Sequence, residues 1–426
     1  GHYRSLIRAL ALVKQAAAEA NCSVGELEPS IRDAIVTACA EVAEGKFDTQ
    51  FIVDAIQGGA GTSTNMNANE VIANRALEIM GFEKGDYAHC HPLNHVNMSQ
   101  STNDVYPTAL KVALILELRE LIAAMAHLRG AFGGKAEEFK DIIKMGRTQL
   151  QDAVPMTLGM EFATFARMTM EDEDRLRDVI PLLCEINLGG TAIGTQLNAP
   201  KGYSALACQN LSRLSGMPFV VAEDMVEATQ DAGVFVMVSG VLKRVAVKLS
   251  KTSNDLRLLS SGPRAGFGEI NLPARQAGSS IMPGKVNPVI PEVVNQVAFA
   301  MIGYDITVTM AAEAGQLQLN AFEPIMCRAL MMGITQLRQA CYVLADLCIQ
   351  DITANVPKLR RDVERSIGLV TALSPMLGYE NATAVAQKAQ AEDKTVRQVV
   401  QELALMSEAE FEAILGDVDK LVRPNG

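Results

Sequence analysis

At 426 residues the chain has room for two or three domains of about 150 residues each, and 38 Lys+Arg against 49 Asp+Glu give it a formal charge of −11. With 49% hydrophobic and 20% charged residues it can bury a large core, which excludes a disordered chain; the acidic balance argues against a general nucleic-acid binder. The absence of Trp, an aromatic share of 5% and 20 Met describe an aliphatic interior, better suited to close helix packing than to a β-sandwich.

The eight Cys (22, 39, 90, 184, 208, 327, 341 and 348) form no CxxC pair and no other metal-ligand spacing. In a chain of this length they read as reduced, buried thiols of a cytoplasmic protein. No uninterrupted apolar run approaches the roughly 18 residues of a spanning helix. The longest candidates are broken by Lys111, by Lys243 with Arg244, and by Asp305, so no membrane partner is expected. The chain starts at Gly1 and enters a helical pattern at once, so a natural leader is expected ahead of it.

In chain order, Tyr3 to Ala20 is a helix rich in Ala, Leu and Arg. Pro107 to Arg129 is predicted as a helix with Pro in its first turn and apolar residues at three- and four-residue spacing. Thr157 to Leu183 follows, with the charged stretch Glu171 to Asp178 as a solvated face. Val234 to Leu259, Pro291 to Ala314 and Pro324 to Cys348 are three more long helices. Strand patterns are almost absent. From about Val356 the texture shifts to shorter charged helices, at Lys358 to Ile367, Glu380 to Ala391 and Thr395 to Ala404, before a polar tail. An all-α chain built on an elongated bundle follows, with helix faces apolar enough to be buried against other subunits.

Four polar, glycine-punctuated segments interrupt these helices: Gly58 to Glu70, His95 to Asp104, Gly146 to Ala153, and Gly278 to Pro288. All are dense in hydroxyls, carboxamides and flexible backbone N–H groups, which recognise carboxylates without a wall of fixed positive charge. Any one such run is more often a turn or a helix cap, and Ser101 reads equally well as the start of a helix. Four in one chain weaken that reading. The glycines do not form a phosphate cradle, since no Gly-Lys-Ser/Thr follows Gly61 and no strand precedes Gly262 to Gly268. His89, Cys90, His91 and His95 crowd together but lack matching ligands elsewhere, so a polar loop is the simpler reading than a metal site.

The fourth segment, Gly278-Ser279-Ser280-Ile281-Met282-Pro283-Gly284-Lys285-Val286-Asn287-Pro288, resembles the signature loop of the aspartase/fumarase superfamily, whose members eliminate across a C–N or C–O bond to release fumarate. The other three segments resemble that superfamily's remaining motifs in the same order, and the similarity covers essentially the whole chain. Ser101-Thr102-Asn103-Asp104, Pro288 to Gln296 and Asn271-Leu272-Pro273 are similar to the aspartase branch rather than to fumarases. Two positions depart from the pattern. Gln149 stands where fumarases and some aspartases carry a His, and Gln196 where a Gly is common.

The resemblance implies a three-domain subunit, with an N-terminal helical domain over 1–101, a long-helix bundle over 102–355 and a small helical domain over 356–426. It also implies a homotetramer in which each active site draws motifs from three subunits. The substrate is a small dicarboxylate, L-aspartate or fumarate. Ser279 matches the general base and Lys285 the ammonium beside it. Thr62, Ser101, Thr102, Ser280 and Asn287, together with Lys285, match groups that hold a carboxylate. Asn103 and Thr148 match groups near the amino nitrogen. Gln149 can only exchange neutral hydrogen bonds there, so the amine leaves without a protein acid at that position. No cofactor is implied, and divalent-cation activation stays open. Alternatives are fumarate hydratase, an aspartase-like lyase for a related amino acid, and a structural homologue without catalysis.

Overall fold

The computed structural model describes residues 3–278, 281, 282 and 284–422, apart from the side chains of 419 and 420. In order its elements are α1 (Arg4–Ser23), α2 (Pro29–Glu44), α3 (Thr62–Met80), α4 (Thr102–Glu138), β1 (Ile143–Thr148), β2 (Gln151–Thr157), α5 (Leu158–Val179), β3 (Glu185–Ile186), α6 (Tyr203–Ser215), β4 (Val220–Val221), α7 (Met225–Gln230) and α8 (Gly233–Leu259). They continue with β5 (Ile270–Asn271), α9 (Val289–Glu313), α10 (Glu323–Leu347), β6 (Thr353–Ala354) and α11 (Val356–Arg365). Five shorter helices close the chain: α12 (Leu369–Leu377), α13 (Tyr379–Ala391), α14 (Val396–Glu402), α15 (Glu408–Gly416) and α16 (Val418–Val422). The chain is mainly helical, as its composition predicts.

Two compact units emerge, one of residues 1–123, 172–247 and 297–339, the other of 124–171, 248–296 and 340–426. The long helices α4, α5, α8, α9 and α10 each contribute residues to both. In the first unit α1 buries Leu6, Leu10, Val13, Ala16, Ala17 and Ala20 against α2 and α6, the alanines allowing close helix approach. In the second, Phe132 of α4, Phe139 just after it, and Phe162 and Phe165 of α5 stack edge-on and tilted. A separate cluster of Val363, Leu373, Val385, Val399 and Phe411 joins the short C-terminal helices to Ile143 and Met145 of β1.

Three local readings need correction. The helix expected from Pro107 starts five residues earlier, at Thr102, and Pro107 lies inside it. Pro107 has no N–H for the Asn103 carbonyl, but the Asn187 side chain donates to that oxygen at 3.1 Å, so the helix passes without an orphan acceptor. The first polar segment is not wholly a loop, since α3 begins at Thr62 within it. The third is an antiparallel hairpin, β1–β2, with a register shift at Gly146. A Cβ on Gly146 would lie 2.9 Å from the Val154 carbonyl, which explains the glycine.

Helix α9 is long and apolar enough to cross a membrane by length and composition, and only 33% of its most apolar window is buried. Its Asp305 accepts a hydrogen bond from Ser239 (2.8 Å) and pairs with Lys243 (2.6 Å), both on α8.

Candidate active site

In the first unit, two helices begin beside each other, linked by a side-chain hydrogen bond between their first turns. Gly59, Ala60 and Gly61 all have positive φ (80°, 57° and 95°), turning the chain sharply into α3. A Cβ on Gly61 would stand 2.4 Å from the Tyr106 ring, so only glycine fits. Gln57 clamps this turn from below, donating to Thr64 Oγ1 (2.7 Å) and accepting from the Thr64 N–H (3.1 Å). Thr62 is exposed and donates its hydroxyl to the Gly59 carbonyl at 2.7 Å. The dipole of such an N-terminus favours a carboxylate.

The second start, Ser101 to Asp104, is a reciprocal cap. Ser101 Oγ accepts from the Asn103 N–H (3.2 Å), and Asp104 Oδ1 accepts from the Ser101 N–H (3.1 Å). The capping role read for Ser101 therefore exists in the structure. Asp104 is fully buried, and its Oδ2 accepts from the N–H groups of Gly189 (3.1 Å) and Thr191 (2.9 Å). Burial pushes its carboxyl up to about 7, against the pull of these N–H donors and of Lys14. Asn103 donates to the Ala192 carbonyl at 2.8 Å, tying the following turn to α4. Gln196, in the same loop, has φ 60°, the left-handed region that favours glycine.

The two starts are joined by Asn65 in the first turns of α3, whose Nδ2 donates to Thr102 Oγ1 at 3.1 Å. Beneath them lies Lys14 of α1, with no solvent exposure, donating to Asn97 Oδ1 (2.8 Å) and Gln100 Oε1 (2.9 Å). Burial lowers its ammonium to about 7, opposed by Asp104. Sequence reasoning missed Lys14, and it placed Asn65, Asn97 and Asp104 within the polar segments without giving them a role. Asp104 sits three residues after Ser101, as a capping partner should.

In the second unit Thr148 and Gln149 sit at the exposed tip of the β1–β2 hairpin, where Thr148 pairs with Gln151 across the two-residue turn Gln149-Leu150. Both turn residues have positive φ (53° and 64°), as a type I′ turn requires, but neither is the usual Asn or Gly. The strain is about 1–2 kcal/mol per residue. Behind the tip, Arg147 pairs with Glu269, whose side chain is 1% exposed, and Lys144 reaches the same carboxylate at 2.7 Å. The Arg147 guanidinium also lies over the Phe267 ring, 4.4 Å from its centroid. Arg147 thus supports the tip from below.

The signature segment belongs to the second unit as well. A Cβ on Gly278 would fall 2.1 Å from the Lys285 carbonyl, so the two ends of the loop close on each other only because residue 278 is glycine. Lys285 is exposed and Asn287 partly exposed, the latter next to the start of α9. Ser279 and Ser280 lie outside the described residues. The histidines have local partners. His91 Nδ1 caps the short turn after it, accepting from Leu93 (3.0 Å) and Asn94 (3.2 Å), His95 Nδ1 accepts from the His91 N–H (2.8 Å), and His89 stacks on Phe82. Among the described residues no group of three or more His, Cys, Asp and Glu stands close enough to hold a metal ion.

Hydroxyls, carboxamides and helix N-termini of this kind bind carboxylates. The comparisons with known proteins give the same class. Residues 3–303 match the family described as Lyase, and residues 369–423 the fumarase C C-terminus. The chain belongs to the aspartase/fumarase superfamily of lyases. It is 58% identical to the aspartate ammonia-lyase of Pseudomonas canavaninivorans over 97% of this chain and 88% of that protein. Against the aspartate ammonia-lyase of Escherichia coli (strain K12) the identity is 54%, over 98% of this chain and 87% of the relative. Among solved structures, the cobalt-bound fumarate lyase:delta crystallin from Brucella melitensis superposes with a TM-score of 0.93 at 53% identity, over 97% of this chain and 90% of that one.

Proposed function

We propose that this chain is an aspartate ammonia-lyase, removing ammonia from L-aspartate by reversible anti elimination to give fumarate. The observation that carries the reading is the 58% identity to a named aspartate ammonia-lyase across 97% of the chain. The aspartase-like Ser101-Thr102-Asn103-Asp104 and the hydroxyl-bearing starts of α3 and α4 support it.

Taking the weakly acidic proton beside a carboxylate creates a dianionic aci-carboxylate, and stabilising that species is the largest demand on the site. In this reading Ser279 removes the proton. The Lys285 ammonium and the Asn287 and Ser280 side chains hold the carboxylate that gains charge. Thr62, Ser101 and Thr102 hold a carboxylate at the helix N-termini, and Asn103, Thr148 and Gln149 surround the departing nitrogen. Gln149 has no titrating proton, so ammonia leaves without general-acid help from that position.

The working unit in this reading is a homotetramer of three-domain subunits divided near 101 and 355, with composite active sites. Exposed Phe299, Ile302, Ile306 and Met310 make an apolar stripe along α9 that copies of the chain would cover; the charged Asp305 in mid-helix speaks against lipid. Eight free cysteines, seven of them buried, accord with a reducing cytoplasm. Replacing Ser279 by Ala tests the assignment of the base. The expected result is a loss of kcat of at least about 1000-fold in a protein that still folds and assembles; retention of substantial turnover contradicts it.

A further inference from the structure

The hydrogen bonds that run from α1 to the start of α4 have only one possible direction. A lysine ammonium only donates, and even the neutral amine that burial favours keeps two N–H groups, one for each of its two near neighbours. Lys14, wholly buried, therefore requires oxygen atoms to face it, and those of Asn97 (2.8 Å) and Gln100 (2.9 Å) do. The amide ends agree with that orientation. Gln100 Nε2 donates to the Val96 and Met98 carbonyls (both 3.0 Å), and Asn97 Nδ2 to the Gln100 carbonyl (3.3 Å).

With its oxygen fixed inward, Asn97 accepts two further donors, Asn65 Nδ2 at 3.1 Å and Asn69 Nδ2 at 3.2 Å. The remaining Asn65 N–H goes to Thr102 Oγ1 at 3.1 Å. This orientation has a cost, because the side-chain oxygens of Asn65 and Asn69 are buried without any hydrogen-bond partner. Turning Asn65 over would offer its oxygen the Thr102 hydroxyl, but would set two oxygens against each other at Asn97. The Lys14 donor excludes that alternative.

We infer that the network Lys14–Asn97–Asn65–Thr102, in which Lys14 and Asn65 both donate to the Asn97 oxygen and Asn65 donates on to Thr102, fixes the direction of the Thr102 hydroxyl, so that its oxygen accepts from within and its proton is offered outward to the substrate carboxylate. Lys14, Asn97 and Asn65 are on this account positioning residues. They touch no substrate, yet they occupy a lone pair of the hydroxyl from within and leave its proton to be given outward. The inference rests on the reading of Thr102 as a carboxylate contact and adds why this hydroxyl is prepared for an anion.

Isosteric substitutions test it, with KM and kcat followed on the assembled full-length enzyme. Asn65→Asp presents only acceptors to Thr102, drawing its proton inward and its lone pairs outward; KM is expected to rise at least ten-fold while kcat changes less than three-fold. Asn65→Ala leaves the hydroxyl free to turn and raises KM less. Asn97→Asp keeps an acceptor facing both Lys14 and Asn65 and loses only the 3.3 Å bond to the Gln100 carbonyl, so it raises KM less than three-fold. Thr102→Val, which keeps the shape but has no proton to give, raises KM comparably to Asn65→Asp, and adding Asn65→Asp to it changes KM less than two-fold further.

Equal effects of Asp at 65 and 97, or multiplying effects of Asn65→Asp and Thr102→Val, overturn the proposal. An unchanged KM in Thr102→Val overturns it whether or not Asn65→Asp folds. Wild-type turnover of L-malate in place of L-aspartate overturns the aspartase reading alone, since the same KM comparison made with L-malate still decides the direction of the hydroxyl.

Discussion

The helix starts of the first unit and the hairpin tip of the second offer the same kind of donor, but the protein holds them in opposite ways. Thr102 is set on a buried network that reaches Lys14 and Asp104, with helix dipoles behind it. Thr148 and Gln149 sit on an exposed, strained two-residue turn, steadied from below by the Arg147–Glu269 pair. The proposed carboxylate donor is built into helices. The groups proposed to meet the departing nitrogen are carried on a turn. The contrast implies that the first region fails through packing and buried polarity, and the second through its support.

The comparison can be broken most severely at Gly61. Its Ala variant drives a methyl group into the Tyr106 ring at a position with φ 95°, and is expected to cost about 2–4 kcal/mol in denaturant unfolding, with activity lost in proportion. An unchanged midpoint would show that the α3 start tolerates repacking. The support of the hairpin comes next. Glu269→Gln leaves Lys144 and Arg147 facing a neutral amide inside the protein, and about 2–3 kcal/mol of stability should go with it. If kcat also falls while Thr148 and Gln149 are untouched, the tip depends on that pair for its position.

A third test concerns the acidity of the first unit's interior. Burial raises the Glu323 carboxyl from 4.5 to about 8, only partly opposed by Lys111. The folded protein therefore keeps this proton over a range where the unfolded chain has released it. The contribution to stability is complete below about pH 4.5 and is lost as pH rises through about 8. Glu323→Gln should melt like wild type at pH 4 and at least about 3 °C higher at pH 9. A constant difference across that range would place the charge elsewhere. The smallest effect is expected at the hairpin tip, where Gln149→Gly relieves a positive φ. A gain of about 0.5–1 kcal/mol with reduced kcat would show that the strain serves the reaction.

Much of the helical framework was legible in the residues themselves. The bounds read for α8 and α10 lie within one residue of those observed, because both carry an unbroken apolar repeat at helical spacing. The start of α3 was hidden by its Gly, Ser, Thr and Asn, which prefer turns when judged alone but here begin a helix whose later turns are buried. The hairpin escaped because strands of 6 and 7 residues with a bulge at Gly146 alternate poorly. At the site, the four polar segments could be recognised from their composition and order. Lys14 could not be, since a single lysine in an Ala-rich helix reads as a solvated side chain. Only tertiary packing places it at 0% exposure beneath Thr102.

The most direct test of the central claim is the ultraviolet absorbance of fumarate formed when the purified chain is given L-aspartate or L-malate in parallel. Rapid, reversible formation from L-aspartate, with ammonia released in equal amount and little or no reaction of L-malate, is the result expected. Fumarate from L-malate alone, or from neither substrate in a correctly assembled protein, would contradict it.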